Sequence, residues 1–428
     1  MTRRKRYSAE FKRETLKRAN EEGVTDVLVA EELGINARQL RRWREADTRS
    51  QSRHWARERL LGNSRIIYLL FSSLLVVTSF SHAKDDPCFN AVSWPEADVL
   101  FRGSSTWLGA DSAFSIDLGD GRSLWLFGDS WIDSTASQSR NSARMVRNSI
   151  AIQSGSNPSN AEIEFYWQAD LDADPGSFFD TGTKDWYWPG HGVRTDSGLI
   201  LFLNRLRSID AGLGFESVGW ESRLIENPDD DPPDWRILKL DTPTNRLGIQ
   251  VGFAGALRHM EYLYAFGSAD PDKTHPIYAV RWPLDAVTAG HLMAPEWWGG
   301  AKVGWMEKGS ELPRKPLLTH GQSEMTIHFD KRTRQFISVQ TVGFGKARLA
   351  IRTSPSLAAK WSTLKTIFGP PENGRPNVMI YAGKAHPQLE GADLVLTYAT
   401  NTTEFSEHIS DSEIYYPHFG RLLGCDHQ

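Results

Sequence analysis

The chain is poor in cysteine, with only Cys88 and Cys425 in 428 residues. Two cysteines exclude a disulfide-rich scaffold, and no Cys/His spacing around them is typical of a zinc site. A glycine-rich phosphate-binding loop is also missing. The acidic run 170–174 begins like a calcium loop, but Pro175 stands where that loop needs glycine. We therefore predict neither a cofactor nor a metal site.

Charge is unevenly distributed along the chain. Residues 1–65 hold 17 Lys/Arg against 10 Asp/Glu, a net charge of +7. The remainder holds 32 against 43, a net charge of -11, and carries 14 of the 16 tryptophans. A basic head suits a polyanionic partner, whereas a mildly acidic body does not suggest nucleic acid. The two parts are therefore predicted to be separate domains with different partners.

The basic head has the pattern of three short helices. Ser8 is a natural N-cap for a first helix that ends at Gly23, and a second helix follows at about 26–33. Gly34-Ile35-Asn36 predicts a tight turn before a third helix at 37–45, which is studded with arginine. This order of elements is the helix-turn-helix arrangement, whose last helix enters the major groove of DNA.

Residues 1–46 resemble a known DNA-binding domain through the stretch RRKRYSAEFKRETLKRANEEGVTDVLVAEELGINARQLRRWRE. The stretch resembles the N-terminal domain of insertion-sequence transposases of the OrfA type. The resemblance implies binding to transposon ends, with DNA contacts from Arg38, Gln39, Arg41 and Arg42. No acidic catalytic domain of the transposase kind follows, so the chain alone is not expected to move DNA. A solvated basic helical hairpin is the alternative.

Residues 47–83 join the two parts and contain a hydrophobic run at 66–80. Arginines precede the run, and Ser81-His82-Ala83 has the small-x-small form that signal peptidase accepts. The segment predicts export with cleavage near Ala83, although it lies far from the N-terminus. A membrane-spanning helix needs about 20 apolar residues, so no stable membrane span is expected. An uncleaved anchor that leaves the head in the cytoplasm is the alternative.

Residues 84–428 lack long amphipathic helices and consist of short runs typical of β-strands, bounded by Gly, Asp or Pro. Five units are recognisable by the runs that begin at Leu124, Leu199, Tyr262, Met325 and Leu394. Five repeated units of strands predict a mainly β fold, and specifically a five-bladed β-propeller.

Both cysteines lie near the ends of this β region. In a propeller the first and last strands share one blade, so a Cys88–Cys425 disulfide would help to hold the ring. A pair outside the cytoplasm can be oxidised. The disulfide is therefore predicted, with two unpaired thiols as the alternative.

Residues 95–423 resemble a family of exported proteins through the segments WLGADSAFSIDLGDGRSLWLFGDSWID, YWPGHG, LYAFGS, GQSEMTIHFD and IYYPHFGRL. They are similar to a domain-of-unknown-function family of five-bladed propellers, itself distantly similar to furanosidase-type glycoside hydrolases such as endo-D-arabinanases. The resemblance implies carboxylates from several blades at the propeller axis. It also implies a polysaccharide or oligosaccharide as the partner.

Asp111 and Glu324 are the predicted catalytic residues, because glycoside hydrolysis needs a proton donor and a base or nucleophile. Asp111 precedes the first strand, where propeller glycosidases keep a catalytic aspartate; capping of a turn is the alternative. Glu324 opens a strand of the fourth unit, and His320 and Arg352 are expected to tune and orient it; an ordinary strand-edge carboxylate is the alternative. The hypothesis assigns Asp111 as base or nucleophile and Glu324 as acid.

Further residues are predicted to bind the substrate. Asp129 follows Phe-Gly, and either contacts the substrate or locks the turn. His191 and His386 lie in Gly/Pro-rich segments beside aromatics, where substrate ligands and core residues are equally expected. Trp188 and Tyr381 are placed to stack on sugar faces.

Together these patterns predict an exported carbohydrate-active hydrolase with a transposase-type head. Two alternatives remain. One is a non-catalytic glycan-binding propeller, which the same aromatic residues and histidines would serve. The other is a DNA-binding transposition protein defined by the head alone.

Overall fold

The computed structural model describes residues 89–423 except for 171–173, 211–213, 245–247, 270–273, 307–313 and 344. All of them belong to the second of two units into which the chain divides, Lys84–Gln428. The basic head, the run at 66–80 and both cysteines lie outside the described residues. The helix-turn-helix, the cleavage near Ala83 and the Cys88–Cys425 disulfide therefore stay predictions.

The described chain is mainly β, as predicted. In chain order its strands are β1 (Asn90–Ser93), β2 (Trp107–Ala110), β3 (Phe114–Gly119), β4 (Arg122–Phe127), β5 (Ser130–Ile132), β6 (Arg144–Val146), β7 (Ser149–Ser154), β8 (Glu162–Tyr166), β9 (Gln168–Ala169), β10 (Pro175–Gly176), β11 (Trp186–Thr195), β12 (Gly198–Ser208), β13 (Phe215–Ile225), β14 (Ile237–Leu240), β15 (Ala256–His259), β16 (Tyr262–Ser268), β17 (Ile277–Pro283), β18 (Glu296–Trp298), β19 (Trp305–Met306), β20 (Thr326–Asp330), β21 (Gln335–Val342), β22 (Arg348–Ser354), β23 (Lys365–Phe368), β24 (Val378–His386), β25 (Leu394–Thr402) and β26 (Pro417–Leu423).

The helices of the described chain are short. They are α1 (Pro95–Arg102), α2 (Leu284–Thr288) and α3 (Phe405–Ser410), with single 3₁₀ turns at Pro232–Asp234 and Pro371–Gly374. The two-turn helix α1 starts with a proline, whose missing N–H is not needed there, and buries Ala97, Leu100 and Phe101. Across the residues described, no helix is long and apolar enough to cross a membrane.

Five antiparallel sheets of four or five strands follow one another along the chain. Their strand orders are β3-β4-β7-β8 (sheet 1), β11-β12-β13-β14 (sheet 2), β15-β16-β17-β18-β19 (sheet 3), β20-β21-β22-β23 (sheet 4) and β24-β25-β26-β1 (sheet 5). The short strands β2, β5 and β6 form a small sheet of their own, and β9 pairs with β10.

The first strand of the described chain completes the last sheet. Strand β1 pairs antiparallel with β26, in a register that runs from Asn90 opposite Leu423 to Ser93 opposite Gly420. The expectation that the two ends of the β region share one sheet is therefore confirmed.

The first strands of the five sheets stand around a common channel. In the order β3, β11, β15, β20 and β24, each contacts the next, and β24 contacts β3. A cavity of about 1020 Å³ is lined by residues of all five strands. Because these strands run side by side, the loops that precede them meet at one end of the channel.

The sequence predicted second strands better than the first strands that line the channel: of these first strands, β3 and β20 were predicted, and β11, β15 and β24 were not. Four of the five predicted unit starts fall in second strands (β4, β12, β16 and β25), and Met325 directly precedes the first strand β20. The first strand β11 was missed because its segment YWPGHG has the composition of a loop. Its glycines are required by close packing, since a Cβ on Gly192 would lie 2.4 Å from the Ile200 carbonyl oxygen.

Aromatic rings fill the space between sheet 1 and sheet 5. Phe101 of α1 contacts Trp125 edge-on at 4.9 Å between ring centroids and stacks on Phe419 at 5.0 Å. All three side chains are fully buried or nearly so. Rings in such contact add about 0.5–1.5 kcal/mol per pair beyond their buried area, so α1 connects strand β4 of sheet 1 to strand β26 of sheet 5.

Candidate active site

Asp111 lies in an unusual turn between β2 and β3. The two residues that follow, Ser112 and Ala113, have left-handed φ values of 67° and 56°. Backbone in this region costs a non-glycine residue about 1–3 kcal/mol and is concentrated at functional sites. The Asp111 carbonyl accepts hydrogen bonds from the N–H groups of Ala113 (3.0 Å) and Gly128 (3.2 Å). The turn therefore holds the Asp111 carboxyl at the mouth of the channel.

The Asp111 carboxyl is surrounded by hydroxyl groups and other carboxyls. The Tyr381 hydroxyl donates to its Oδ2 at 2.7 Å, and the Tyr415 phenol is a second hydrogen-bond partner. Burial, followed by the charges of Glu324 and Asp129, raises the pKa of Asp111 to about 8. A carboxylic acid with such a pKa holds its proton at neutral pH.

Glu324 lies next to this turn, although 212 residues separate it from Ser112. Its Oε2 accepts a hydrogen bond from the Ser112 hydroxyl at 2.9 Å. The same oxygen pairs with the ammonium group of Lys384 at 2.7 Å. The structure thus brings the two predicted catalytic residues, Asp111 and Glu324, to one place.

Lys384 is a fully buried cation on β24. Its ammonium group also donates to the carbonyl oxygens of Ser112 (2.6 Å) and Ala382 (3.2 Å), and lies 4.3 Å from the centroid of the Phe114 ring. Burial lowers the pKa of Lys384, while the neighbouring Glu324 opposes that effect. With three acceptors the ammonium group has all its donors satisfied.

Asp129 is the third carboxyl at this end of the channel. Its Oδ1 accepts from the indole N–H of Trp188 at 2.9 Å, and its Oδ2 pairs with Arg147 at 3.2 Å. Burial raises the pKa of Asp129, and Arg147 and then Trp188 oppose the rise. Trp188 therefore orients a carboxylate, a role that the sequence did not predict for it.

The predicted histidine ligands do not join the carboxyl cluster. His386 is buried, and its ring nitrogens contact the hydroxyls of Ser115 at 2.5 Å and Thr397 at 2.7 Å, so it is a satisfied core residue. His191 lines the cavity, and burial lowers its pKa to about 4. At neutral pH its imidazole is uncharged.

The expected partners of Glu324 need correction. Arg352 donates to the backbone carbonyl of His320 at 2.5 Å and contacts the side chain of Gln340, while the His320 side chain is exposed. Among the described residues, Ser112 and Lys384 hold Glu324 instead. The available signal was the lysine of YAGKAH, a charge within an otherwise apolar strand.

The large cavity and the carboxyl cluster occupy different parts of the channel. The cavity is lined by the middle and the C-terminal ends of the first strands, for instance Asp117 and Gly119 of β3 and Asp330 of β20. Asp111 and Glu324 precede β3 and β20, Asp129 follows β4, and none of the three lines the cavity. We take the carboxyl cluster as the candidate site, because it holds both predicted catalytic residues and two carboxyls whose pKa is raised, those of Asp111 and Asp129.

Residues 96–424 match the family model described as a domain of unknown function, DUF5005. The match spans more than half of the chain. The chain belongs to the DUF5005 family. Residues 1–61 of this DUF5005 protein match a second model, described as Transposase. Both resemblances seen in the sequence are therefore confirmed. No curated protein matches the chain.

The fold of the DUF5005 protein is similar to those of solved hydrolases. A putative hydrolase from Bacteroides ovatus has a TM-score of 0.59 at 16% identity, over 78% of this chain and 90% of that chain. The catalytic domain of a GH62 alpha-L-arabinofuranosidase from Coprinopsis cinerea has a TM-score of 0.40 at 12% identity, over 75% and 92%. An endo-arabinase from Bacteroides thetaiotaomicron has a TM-score of 0.40 at 12% identity, over 74% and 94%. At these identities the likeness concerns the fold alone.

Proposed function

We propose that residues 84–428 form a five-bladed β-propeller that hydrolyses glycosidic bonds in a furanose-type or related polysaccharide. The observation that carries the proposal is the meeting of Asp111 and Glu324. The loop before sheet 1 and the loop before sheet 4 supply one carboxyl each, and the hydroxyl of Ser112, the residue after Asp111, donates to Glu324 at 2.9 Å. Two carboxyl groups at one site are what hydrolysis of a glycosidic bond requires.

The surroundings of the pair suit an uncharged, hydroxyl-rich substrate. Asp129 and Tyr381 supply further polar groups at the same mouth, and Trp188 presents an indole ring beside Asp129. Aromatic rings with nearby hydrogen-bonding groups are the usual means of holding a sugar face. The furanose class is taken from the sequence resemblance, and the fold likeness to a putative hydrolase agrees with the reaction type.

Turnover by the full chain tests the proposal. We expect hydrolysis of a furanose polymer, and a loss of kcat/KM toward that polymer of about 10²–10⁴-fold in Asp111→Asn and in Glu324→Gln, the range typical of acid–base groups. Asp117→Asn, an exposed change at the other end of β3, is the matched control. Retained turnover in both variants would contradict the assignment. Glycan affinity without turnover in the wild type would identify a binding propeller instead.

The transposase-like match to residues 1–61 favours a second function for the head. In this proposal Arg38, Gln39, Arg41 and Arg42 contact DNA, and the hydrophobic run at 66–80 directs export with cleavage near Ala83. The two activities then belong to different products of the same chain. N-terminal sequencing of the exported product is expected to give Lys84 as its first residue; an N-terminus within residues 1–46 would contradict cleavage.

A further inference from the structure

The three carboxyls of the candidate site do not have equal access to positive charge. Glu324 is 2.7 Å from the Lys384 ammonium group, and Asp129 is 3.2 Å from the Arg147 guanidinium group. Asp111 has the Tyr381 hydroxyl as its hydrogen-bond donor at 2.7 Å. Two of the three carboxyls are thus paired with a cation. The third, that of Asp111, has phenol hydroxyls as its direct partners.

A buried carboxyl that has no directly paired cation keeps its proton in preference to neighbouring carboxyls that have one. Two adjacent carboxylates without a cation between them repel each other, so one of a close pair stays protonated. The position of Lys384 determines which of the two carboxyls stays protonated, because its ammonium group contacts Glu324, at the oxygen that also accepts from Ser112. Its fully buried side chain and its two carbonyl acceptors leave it little freedom to turn toward Asp111.

We propose that Lys384 is a positioning residue that keeps Glu324 ionised, so that Asp111 carries the proton and acts as the acid while Glu324 acts as base or nucleophile. The proposal rests on the proposed function and reverses the roles expected from the sequence. It assigns Lys384 a part in the chemistry without contact between Lys384 and the substrate.

The reaction balances with water as the co-reactant. The bond between the anomeric carbon and the leaving oxygen breaks, its electron pair stays on the oxygen, and that oxygen takes the Asp111 proton. Glu324 either removes a proton from the attacking water or bonds to the anomeric carbon itself. In the second case water later breaks that bond and returns a proton to Asp111.

The charges around Asp111 agree with this assignment. Glu324 and Asp129 face it as carboxyls, Tyr381 and Tyr415 face it as phenols, and Lys384 is paired with Glu324. Burial and the two carboxyls together outweigh the Tyr381 hydrogen bond and Lys384, which leaves the pKa of Asp111 at about 8.

Carbon-13 NMR of the side-chain carboxyls of the full chain tests the assignment without requiring turnover. We expect an aspartate signal with a midpoint near pH 8 that is absent in Asp111→Asn. In Lys384→Met we expect a glutamate carboxyl signal to show part of the titration near pH 8. That signal should be absent from the double variant that also carries Glu324→Gln. Lys384→Arg should keep the wild-type pattern. Lys384→Gln serves as a second neutral variant if the methionine variant does not fold.

Two results would overturn the proposal. One is that the signal titrating near pH 8 belongs to a glutamate and disappears in Glu324→Gln. The other is that the neutral Lys384 variants leave the aspartate and glutamate curves unchanged. Because the spectra need no substrate, a chain that hydrolyses nothing would refute the proposed function and still decide where the proton lies.

If the chain is active, two substrates separate the roles. A 4-nitrophenyl furanoside has a leaving group that needs little protonation, whereas an alkyl furanoside needs an acid. We expect Asp111→Asn to lose about a hundredfold or more on the alkyl substrate and to keep most of its activity on the aryl substrate. Glu324→Gln should lose activity on both the alkyl and the aryl substrate. The reverse pattern would support the roles expected from the sequence, with Glu324 as the acid and Asp111 as the base or nucleophile.

Discussion

Gly128 lies against the carboxyl of Asp111, so that a Cβ at this position would stand 2.4 Å from Oδ1. The Gly128 N–H also donates to the Asp111 carbonyl oxygen at 3.2 Å. Gly128, which directly follows β4, thus packs against the candidate acid. This steric contact fixes the Asp111 carboxyl without a charged partner.

Gly128→Ala is therefore expected to displace the Asp111 side chain. Because a misplacement of about 1 Å can cost about a hundredfold in rate, kcat/KM should fall by that order, with a loss of about 1–3 kcal/mol in unfolding free energy from overpacking. Kinetics and chemical denaturation measure the two effects. Gly369→Ala, where an added Cβ has nothing within 4 Å, is the control. Unchanged activity in Gly128→Ala would show that the Asp111 position is not critical.

Stability should depend on pH through Asp111. Its pKa is about 8 in the folded chain against 3.8 for an ordinary aspartate carboxyl, so between pH 3.8 and pH 8 the folded chain holds a proton that the unfolded chain has released. The stability due to this group is therefore full below about pH 4 and is lost as the pH rises toward 8. The unfolding free energy of the wild type, relative to Asp111→Asn, should fall by up to about 1.4 kcal/mol per pH unit across this window.

Urea denaturation of the two proteins at several pH values measures that difference. Asp241→Asn, a change at an exposed position, supplies the control for loss of a charge. A difference that rises with pH would mean that Asp111 is ionised in the folded chain.

The two cysteines are expected to form a disulfide in the exported protein. The described register pairs Asn90 with Leu423, two positions after Cys88 and two positions before Cys425. Peptide mapping without reductant should yield one linked peptide, and Cys88→Ser should lower the unfolding free energy by about 2–4 kcal/mol. Cys425→Ser and the double variant should give the same loss. Alkylation of both thiols before reduction would refute the bond.

DNA binding is expected to depend on the head. Reversal of Arg41 and Arg42 to glutamate should weaken binding more than tenfold in a gel shift with transposon-end DNA, because phosphate contacts dominate such affinities. Reversal of the exposed Lys331 and Arg332 changes the net charge of the chain equally and should leave binding unchanged. Equal losses in the two variants would indicate a non-specific charge effect.

Much of the fold was predictable from local pattern. Runs such as Leu124–Phe127 and Leu199–Leu203 form second strands, which are packed on both faces and therefore consist of apolar residues. The strands β11 and β24 were not predicted, because their glycines give the segments YWPGHG and YAGKAH the composition of loops. Gly192 and Gly383 are needed there for space rather than for a turn.

The candidate site was predictable only in part. Asp111 and Glu324 stood out as acids before strands, and the structure places them together. Ser112, Lys384 and Tyr415 escaped notice, because each acquires its role from a residue more than 50 positions away in the chain, as the pairing of Lys384 with Glu324 shows.

The sequence by itself determined the mainly β character of the body, its repeated units and the positions of two candidate acids, because these follow from short-range patterns of apolar, turn-forming and acidic residues. Tertiary structure alone decided which acid receives a cation. That choice depends on a lysine of sheet 5 reaching a glutamate before sheet 4. Charge interactions in a buried site act through space, and spacing along the chain carries no record of them.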